Sequence, residues 1–315
     1  RLRRLARRTV QSAAWLADHA NEAALRQAMW CEGDYVLRAI GSRGMGLSNP
    51  SVSLHPSSSL VATGLGFTAR LWHAPTANHW KSFDHPARVM SVALGPARVA
   101  TGCADGVVRV WCTGSGELVA TVSAHHGGGG VCALAWIAAP PTRGTAHWLV
   151  SSGADGSIKL WSDDHKRISV CTAHAGVVGA LCAGAATVAS GAADAKVRVW
   201  SIEPLAVLRS LVGHREEVTS VALGRACAIS GSVDGQVRVW SLRDCTCTAT
   251  LDHASPVSAL ALSGPTLFSS GGTSLVRVWD LESGRLVAQW PGSETVCALA
   301  AKAGYVVSGT TGGAL

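Results

Sequence analysis

One four-residue phrase returns six times along the chain. It reads Ala69-Arg-Leu-Trp72, Val108-Arg-Val-Trp111, Ile158-Lys-Leu-Trp161, Val197-Arg-Val-Trp200, Val237-Arg-Val-Trp240 and Val276-Arg-Val-Trp279. The tryptophans follow one another at steps of 39, 50, 39, 40 and 39 residues. A period near 40 is too long for a coiled coil and is the length of one small four-stranded sheet. A unit that small cannot bury its own apolar face, so such units must stack on one another.

Each repeat reads as four short strands. Val218 to Leu223 alternates, Ala226 to Ser230 is mostly apolar, and Gly231 to Gly235 is a turn before the Trp phrase. A polar turn follows each Trp, then a weaker strand such as Leu118 to Val122. Val, Ile and Thr at period two, bounded by Gly, Asp and Ser, are strand and hairpin signals. No comparable helical periodicity appears after about residue 33.

Charge and composition narrow the function classes. Of 27 Lys and Arg, five lie among the first eight residues as Arg1, Arg3, Arg4, Arg7 and Arg8. The other 307 residues carry 22 basic and 20 acidic groups, a net of +2 against +7 for the whole. So balanced a body argues against a nucleic-acid-binding surface. At 48% hydrophobic and 15% charged residues, the chain can bury a core. The apolar residues come in short runs; Val131 to Ala139 is stopped by Pro140 and Pro141. A spanning helix needs about 20 apolar residues, so no membrane association is expected. No apolar stretch of signal-peptide type follows the N-terminal arginines. A chain that starts at Arg1 rather than Met reads as a fragment. Ten scattered cysteines without CxxC spacing fit a reduced compartment, with most thiols as small core residues. A cytoplasmic or nuclear location is expected.

With its Trp phrases in this register, the sequence resembles the WD-repeat (WD40) family over roughly residues 46 to 315. Trp279-Asp280 and Gly213-His214 carry the family's two signature dipeptides. Asp105, Asp155, Asp194 and Asp234 each lie six residues before their Trp, and His85, His174 and His214 each lie 20 before their Asp. The resemblance implies hydrogen-bonded structural tetrads of His, Ser or Thr, Asp and Trp. These are His85, Thr101, Asp105 and Trp111; His126, Ser151, Asp155 and Trp161; His174, Ser190, Asp194 and Trp200; and His214, Ser230, Asp234 and Trp240. In another repeat His253 lies 20 residues before Thr273, which stands in place of the carboxylate; the first repeat has Gly46 and Gly66 at the His and Asp positions. Those two repeats are expected to be less rigidly tied.

Six phrases mark six blades, and a seventh is expected after Trp290. Val296 to Ala300, Tyr305 to Ser308 and Ser308 to Gly313 match the first two strands and the turn of the other repeats. The register puts a seventh Trp at about position 318, past Leu315, so the last blade is expected to be truncated in its third strand. Tyr35 to Ile40 is expected to close the ring as that blade's outer strand. The expected fold is all-β, a seven-bladed WD-repeat β-propeller over residues 34–315 with an N-terminal helical segment over residues 1–33.

No catalytic constellation is visible: there is no HExxH, Walker loop or GxSxG, so no enzyme, cofactor or metal site is expected. Gly64-Leu-Gly66 reads as a turn, since a dinucleotide fingerprint needs a following helix. His125-His126 before Gly127 to Gly130 reads as a tetrad histidine and a loop, and Asp163-Asp164-His165 as a solvated turn. Arg70, Arg109, Lys159, Arg198, Arg238 and Arg277, two residues before each Trp, read as stems packed between blades. Trp80, Trp136, Trp148 and Trp290 read as core or rim packing.

Loops carry the binding candidates. The resemblance implies that the His loops and Asp turns open on one face. Arg88 and Arg215 are the arginines there, opposed by Glu216, Glu217 and Glu294, so no strongly cationic phosphopeptide pocket is expected. An insertion near Ile137 to His147, with Pro140, Pro141 and Arg143, is a second candidate surface on the opposite face. Residues 1 to about 30 are rich in helix formers. Their Leu-Arg-Arg-Leu-Ala-Arg-Arg run followed by Trp15 and Trp30 is similar to the end of an F-box. The expected function is a non-catalytic scaffold that presents propeller loops to proteins or peptides. The alternative is an F-box/WD-type substrate receptor with ubiquitin-ligase components as partners.

Overall fold

Strands with apolar residues at every position must be covered on both faces, whereas alternating strands need one covered face. Both kinds occur in each repeat. The computed structural model describes residues 30–32, 35–37, 51–54, 59–74, 78–125, 130–140, 147–291, 294–302 and 305–310. A short hairpin, β1 (Trp30–Glu32) and β2 (Tyr35–Leu37), comes first. Blade 1 is β3 (Ser51–Leu54), β4 (Leu60–Leu65), β5 (Thr68–His73) and β6 (Asn78–Asp84). Blade 2 is β7 (Val89–Leu94), β8 (Arg98–Cys103), β9 (Val107–Cys112) and β10 (Leu118–Ser123). Blade 3 is β11 (Val131–Ala138), β12 (His147–Gly153), β13 (Ile158–Trp161) and β14 (Arg167–Cys171). Blade 4 is β15 (Ala180–Ala183), β16 (Thr187–Gly191), β17 (Lys196–Ile202) and β18 (Leu205–Val212). Blade 5 is β19 (Val218–Leu223), β20 (Cys227–Ser232), β21 (Gln236–Ser241) and β22 (Cys247–Asp252). Blade 6 is β23 (Val257–Ser263), β24 (Thr266–Gly271), β25 (Leu275–Asp280) and β26 (Arg285–Pro291). Last come β27 (Val296–Lys302) and β28 (Tyr305–Thr310).

Every blade is an antiparallel meander in chain order, and the first strands of successive blades lie side by side around an axis. Burial follows that geometry. The second strand is covered from both sides, as in β8, where Val99 to Cys103 are all buried. The fourth strand faces solvent, as in β10.

The expectation of seven blades with a truncated last one, and of an N-terminal helix, is corrected: there are six blades and, among the described residues, no helix. The remaining sheet, in the order β1-β2-β28-β27, is not built like a blade. Its third position, held elsewhere by a Trp phrase antiparallel to the second strand, is taken by β2, which pairs with β28 in parallel at Tyr305 and Val306. Tyr35–Leu37 therefore joins this sheet in the third position and not as its outer strand, which is β1. Trp30–Glu32, inside the segment expected to be helical, is a strand instead. A short stretch gains more from a partner strand than from an isolated helix, whose nucleation is unfavourable. Residues 1–29, including Trp15, lie outside the described residues.

The core is divided among the seams between neighbouring sheets. Val108, Val110, Val131, Leu149 and Trp161 join blade 2 to blade 3, and Val197, Leu211, Val218 and Trp240 join blade 4 to blade 5. Trp72, Val61 and Val307 close the ring between the last sheet and blade 1. Each Trp thus points back at the preceding sheet. Close approach at these seams depends on glycine. A Cβ on Gly102, Gly191 or Gly231 would meet the first valine of the next blade at 2.6, 2.4 and 2.4 Å. Hydrogen bonds cross the same seams near the axis. The Leu94 and Leu260 amides donate to Ser53 and Ser220 of the preceding blade at 3.0 and 2.9 Å. Thr219 Oγ1 donates to the Val257 carbonyl at 2.6 Å.

Candidate functional site

A tight turn between the second and third strands places an acidic residue beside the loop that enters the blade. In blade 5, the Asp234 carboxylate accepts the Gln236 and Arg215 amides, both at 3.0 Å. It also holds His214 Nδ1 at 2.8 Å. His214 Nε2 lies 2.7 Å from Ser230 Oγ, and the Trp240 indole donates to that hydroxyl at 2.8 Å. Blade 4 repeats the arrangement: His174 Nδ1 to Asp194 at 3.0 Å, Nε2 to Ser190 at 2.7 Å, and Trp200 to Ser190 at 2.8 Å. The hydroxyl accepts the indole proton and gives its own to Nε2, which assigns a neutral imidazole with its proton on Nδ1.

The other repeats differ in instructive ways. In blade 3, His125 rather than His126 lies 2.9 Å from Asp155 and 2.9 Å from Ser151, and Trp161 donates to Ser151 at 2.9 Å. The choice of His126 is therefore corrected; His126 itself lies outside the described residues. The reason is local: Ala124 and His125 amides are anchored on the Gly106 carbonyl, which brings His125 to the turn. In blade 2, His85 Nε2 meets Thr101 at 2.8 Å and Trp111 donates to Thr101 at 3.1 Å. His85 Nδ1, however, bonds the Phe83 carbonyl at 2.9 Å, while Asp105 takes Arg109 at 2.9 Å. Blade 6 has no carboxylate; His253 contacts Ser255 Oγ at 3.1 Å and Arg277 at 3.1 Å, and Trp279 donates to Ser269 at 2.8 Å. In blade 1, Trp72 donates to Thr63 at 2.9 Å, and Gly46 lies outside the described residues.

The basic residue of the Trp phrase is a further member that the sequence reading left out. Arg198 donates to Asp194 at 2.8 Å, Lys159 to Asp155 at 3.3 Å, and Arg109 to Asp105. The available signal was their constant spacing of four residues after the Asp. In blade 5, Arg238 binds Gln236 instead and lies over the Trp240 ring at 5.9 Å.

Burial governs the protonation of these groups. It pushes the imidazoles of His85, His174, His214 and His253 below the ordinary histidine range, and the facing carboxylates of Asp194 and Asp234 do not reverse this. Burial would raise the carboxyls, but hydrogen bonds outweigh it. Ser157 and His125 hold Asp155 at about 2, and Arg198 and His174 do the same for Asp194. The folded state therefore binds fewer protons than the unfolded chain in two windows. Stability supplied by the histidines is complete above their unfolded value of 6.5 and is lost as pH falls below it. That of Asp155 and Asp194 is complete above 3.8 and is lost as pH falls towards 2. The melting temperature, followed by circular dichroism, should decline from pH 7 to 5 and again below pH 4. A melting temperature that rises between pH 7 and 5 would refute this account.

The remaining candidates separate by face. Arg215, Glu216 and Glu217 are exposed on the loop face, with Arg88 half-buried beside them. Adjacent loops and turns are bonded there: the His85 amide donates to the Phe67 carbonyl at 2.9 Å, and the Val233 amide to the Glu217 carbonyl at 3.0 Å. Among the described residues, the large apolar side chains exposed on this face include Phe67 (60%), Met90 (37%) and Val177 (37%). Pro140 is half-buried, and Pro141 and Arg143 lie outside the described residues. Asp163 and His165 contact Arg98 of blade 2 at 3.1 and 3.2 Å, so this turn clasps a neighbouring blade. Trp136 donates to the Ala93 carbonyl at 3.1 Å, Trp148 is buried, and Trp80 is exposed on an outer strand. Among the described residues no group of three or more His, Cys, Asp or Glu could hold a metal ion.

Six blades with indole-anchored third strands define a repeat protein of the β-propeller type, in which the ring is a rigid frame and the loops are its variable part. Four segments, residues 79–112, 116–162, 205–241 and 245–280, match the family model WD40: WD domain, G-beta repeat. The chain thus carries WD40 repeats and is an all-β WD-repeat propeller. It is similar to the Ribosome biogenesis protein WDR12 homolog of Chlamydomonas reinhardtii, 32% identical over 118 residues, covering 35% of this chain and 25% of that protein. It is also similar to Transducin beta-like protein 3 of Mus musculus, 34% identical over 148 residues, 44% of this chain and 17% of that protein. A third relative is the Nuclear distribution protein PAC1 of Fusarium vanettenii, 28% identical over 153 residues, 44% of this chain and 33% of that protein. The aligned stretches span a third or less of the length of these relatives.

Proposed function

We propose that the protein is a non-catalytic scaffold whose loop face binds proteins or peptides. One observation carries the reading: Phe67, Met90 and Val177 stand exposed on a rim whose backbone is held by loop-to-turn hydrogen bonds and His–Asp pairs. Apolar side chains on a rigid frame bind with little loss of conformational freedom, and charged neighbours such as Arg215 and Glu216 add selectivity at the edge. The names of the similar proteins point to ribosome biogenesis in one case and nuclear distribution in another, so they support a shared frame with different partners.

Affinity capture with the intact chain, a Phe67→Ser/Met90→Ser/Val177→Ser variant, and a variant with residues 141–146 replaced by Gly-Ser tests the assignment. The triple variant should keep its melting temperature and lose its partners, while the insertion variant keeps them. Identical partner sets for the intact chain and the triple variant would refute the loop face; loss only with the insertion variant would move the site to the opposite face.

A further inference from the structure

Blade 6 keeps the cation of its Trp phrase but not the anion that stands beside it elsewhere. In blades 2, 3 and 4 the basic residue donates to an Asp four residues earlier: Arg109 to Asp105, Lys159 to Asp155 and Arg198 to Asp194. In blades 2 to 5 that Asp also accepts the amide two residues further on, from Val107, Ser157, Lys196 and Gln236. In blade 6 the position is Thr273, whose hydroxyl reaches the Leu275 amide only at 3.5 Å. Arg277 remains. Its Nη1 lies 3.3 and 3.1 Å from Nδ1 and Nε2 of His253, much as Arg198 meets His174, but among the described residues no carboxylate pairs with it. The nearby Asp252 is engaged elsewhere, accepting the Ala254 amide at 3.0 Å. His253 supplies no negative charge either, since burial and Arg277 keep it neutral. The turn is also more open. Gly106, Gly156, Ala195 and Gly235 close theirs by an amide bond to the carbonyl three residues back; among the described residues Ser274 makes none. Gly272 is exposed, and a Cβ there would meet nothing within 4 Å. Solvent reaches the equivalent carboxylates, since Asp105 and Asp155 keep 29% and 23% of their side chains exposed.

We infer that the blade 6 turn is a carboxylate-binding site, in which an acidic group supplied by a bound partner or by a small acid in solution takes the place of the missing Asp. Arg277 is half-buried, so it has lost hydration without gaining a counter-ion. A planar carboxylate accepts two parallel guanidinium bonds, and four other blades hold a carboxylate at this register. The hydroxyls of Thr273 and Ser255, which lies 3.1 Å from His253 Nδ1, complete the donor set. One cation among neutral donors balances a single negative charge, which favours a carboxylate over a phosphate dianion.

The probes are sodium acetate, inorganic phosphate and the capped tripeptide Gly-Asp-Gly, titrated into the full chain at constant ionic strength against chloride and followed by NMR. Saturable shifts confined to the His253–Ser255 loop and the 272–277 turn are expected with acetate, and weaker binding with phosphate. The pH at which His253 protonates should rise on binding, because a nearby negative charge favours the imidazolium. Arg277→Gln should weaken binding at least about tenfold. Thr273→Asp supplies the carboxylate from within the chain, so it should raise the melting temperature and abolish the acetate response. Tighter binding of the tripeptide than of acetate assigns the ligand to a partner's side chain, and equal binding assigns it to a small acid. No saturable response, a response that survives Thr273→Asp, or phosphate binding as tightly as acetate overturns the site. It shares no residue with the rim of Phe67, Met90 and Val177. The Phe67→Ser/Met90→Ser/Val177→Ser protein should bind acetate normally, so the two readings fail separately.

Discussion

Trp200→Ala is expected to destabilise the protein by about 3–5 kcal/mol. Trp200 is 0% exposed and packs with Ile137, Trp148, Val178 and Val188 in the seam between blades 3 and 4. Truncation leaves a cavity between two rigid sheets that cannot collapse without moving their strands. It also deprives Ser190 of its indole donor, within a network in which His174, Ser190 and Trp200 are buried and Asp194 is half-buried. Trp80→Ala is the comparison: Trp80 is 52% exposed on an outer strand, and its loss should shift stability by about 0.5 kcal/mol or less. Urea unfolding midpoints of the two variants test the contrast, and equal shifts would contradict the role given to the seam tryptophans.

Gly231→Val should be nearly as damaging, by at least about 1–3 kcal/mol, for the opposite reason. A Cβ at residue 231 would lie 2.4 Å from Val257 Cγ1 and 3.4 Å from Leu260 Cδ1, so the added side chain has to push blade 6 away from blade 5. Gly272→Ala is the control, since a methyl group there would meet nothing within 4 Å and the backbone is unstrained. If sheet contact is the cause, Val257→Ala added to Gly231→Val should recover part of the loss, because the two side chains compete for one space. A double variant less stable than the sum of its parts would place the effect elsewhere.

Much of this was legible from residue spacing. A Trp about every 40 residues marks a third strand, and fixed distances back from it locate the Asp, hydroxyl and His of blades 4 and 5. Spacing failed where the chain between two fixed points was elastic. The insertion in blade 3 removes the constant interval of 20 residues, so it cannot separate His125 from His126; the anchoring of His125 on the Gly106 carbonyl does. It failed again where two partners compete for one group. Asp105 has both His85 and Arg109 at the family's usual distances along the chain, and the carboxylate bonds the arginine. Read by position alone, the arginines are apolar stems, although a place four residues after an Asp also allows an ion pair.

What the linear order of residues settles here is local: strand identity, turn chemistry and the repeat length, because these depend on neighbours within one hairpin. How the ring closes is not local. Val296–Lys302 and Tyr305–Thr310 carry the same signals as the blades before them, yet their sheet is completed by Tyr35–Leu37 in parallel. Strand pairing is non-directional in sequence, and any segment able to reach an open edge with the right backbone geometry can occupy it. Proximity in three dimensions therefore decides the partner.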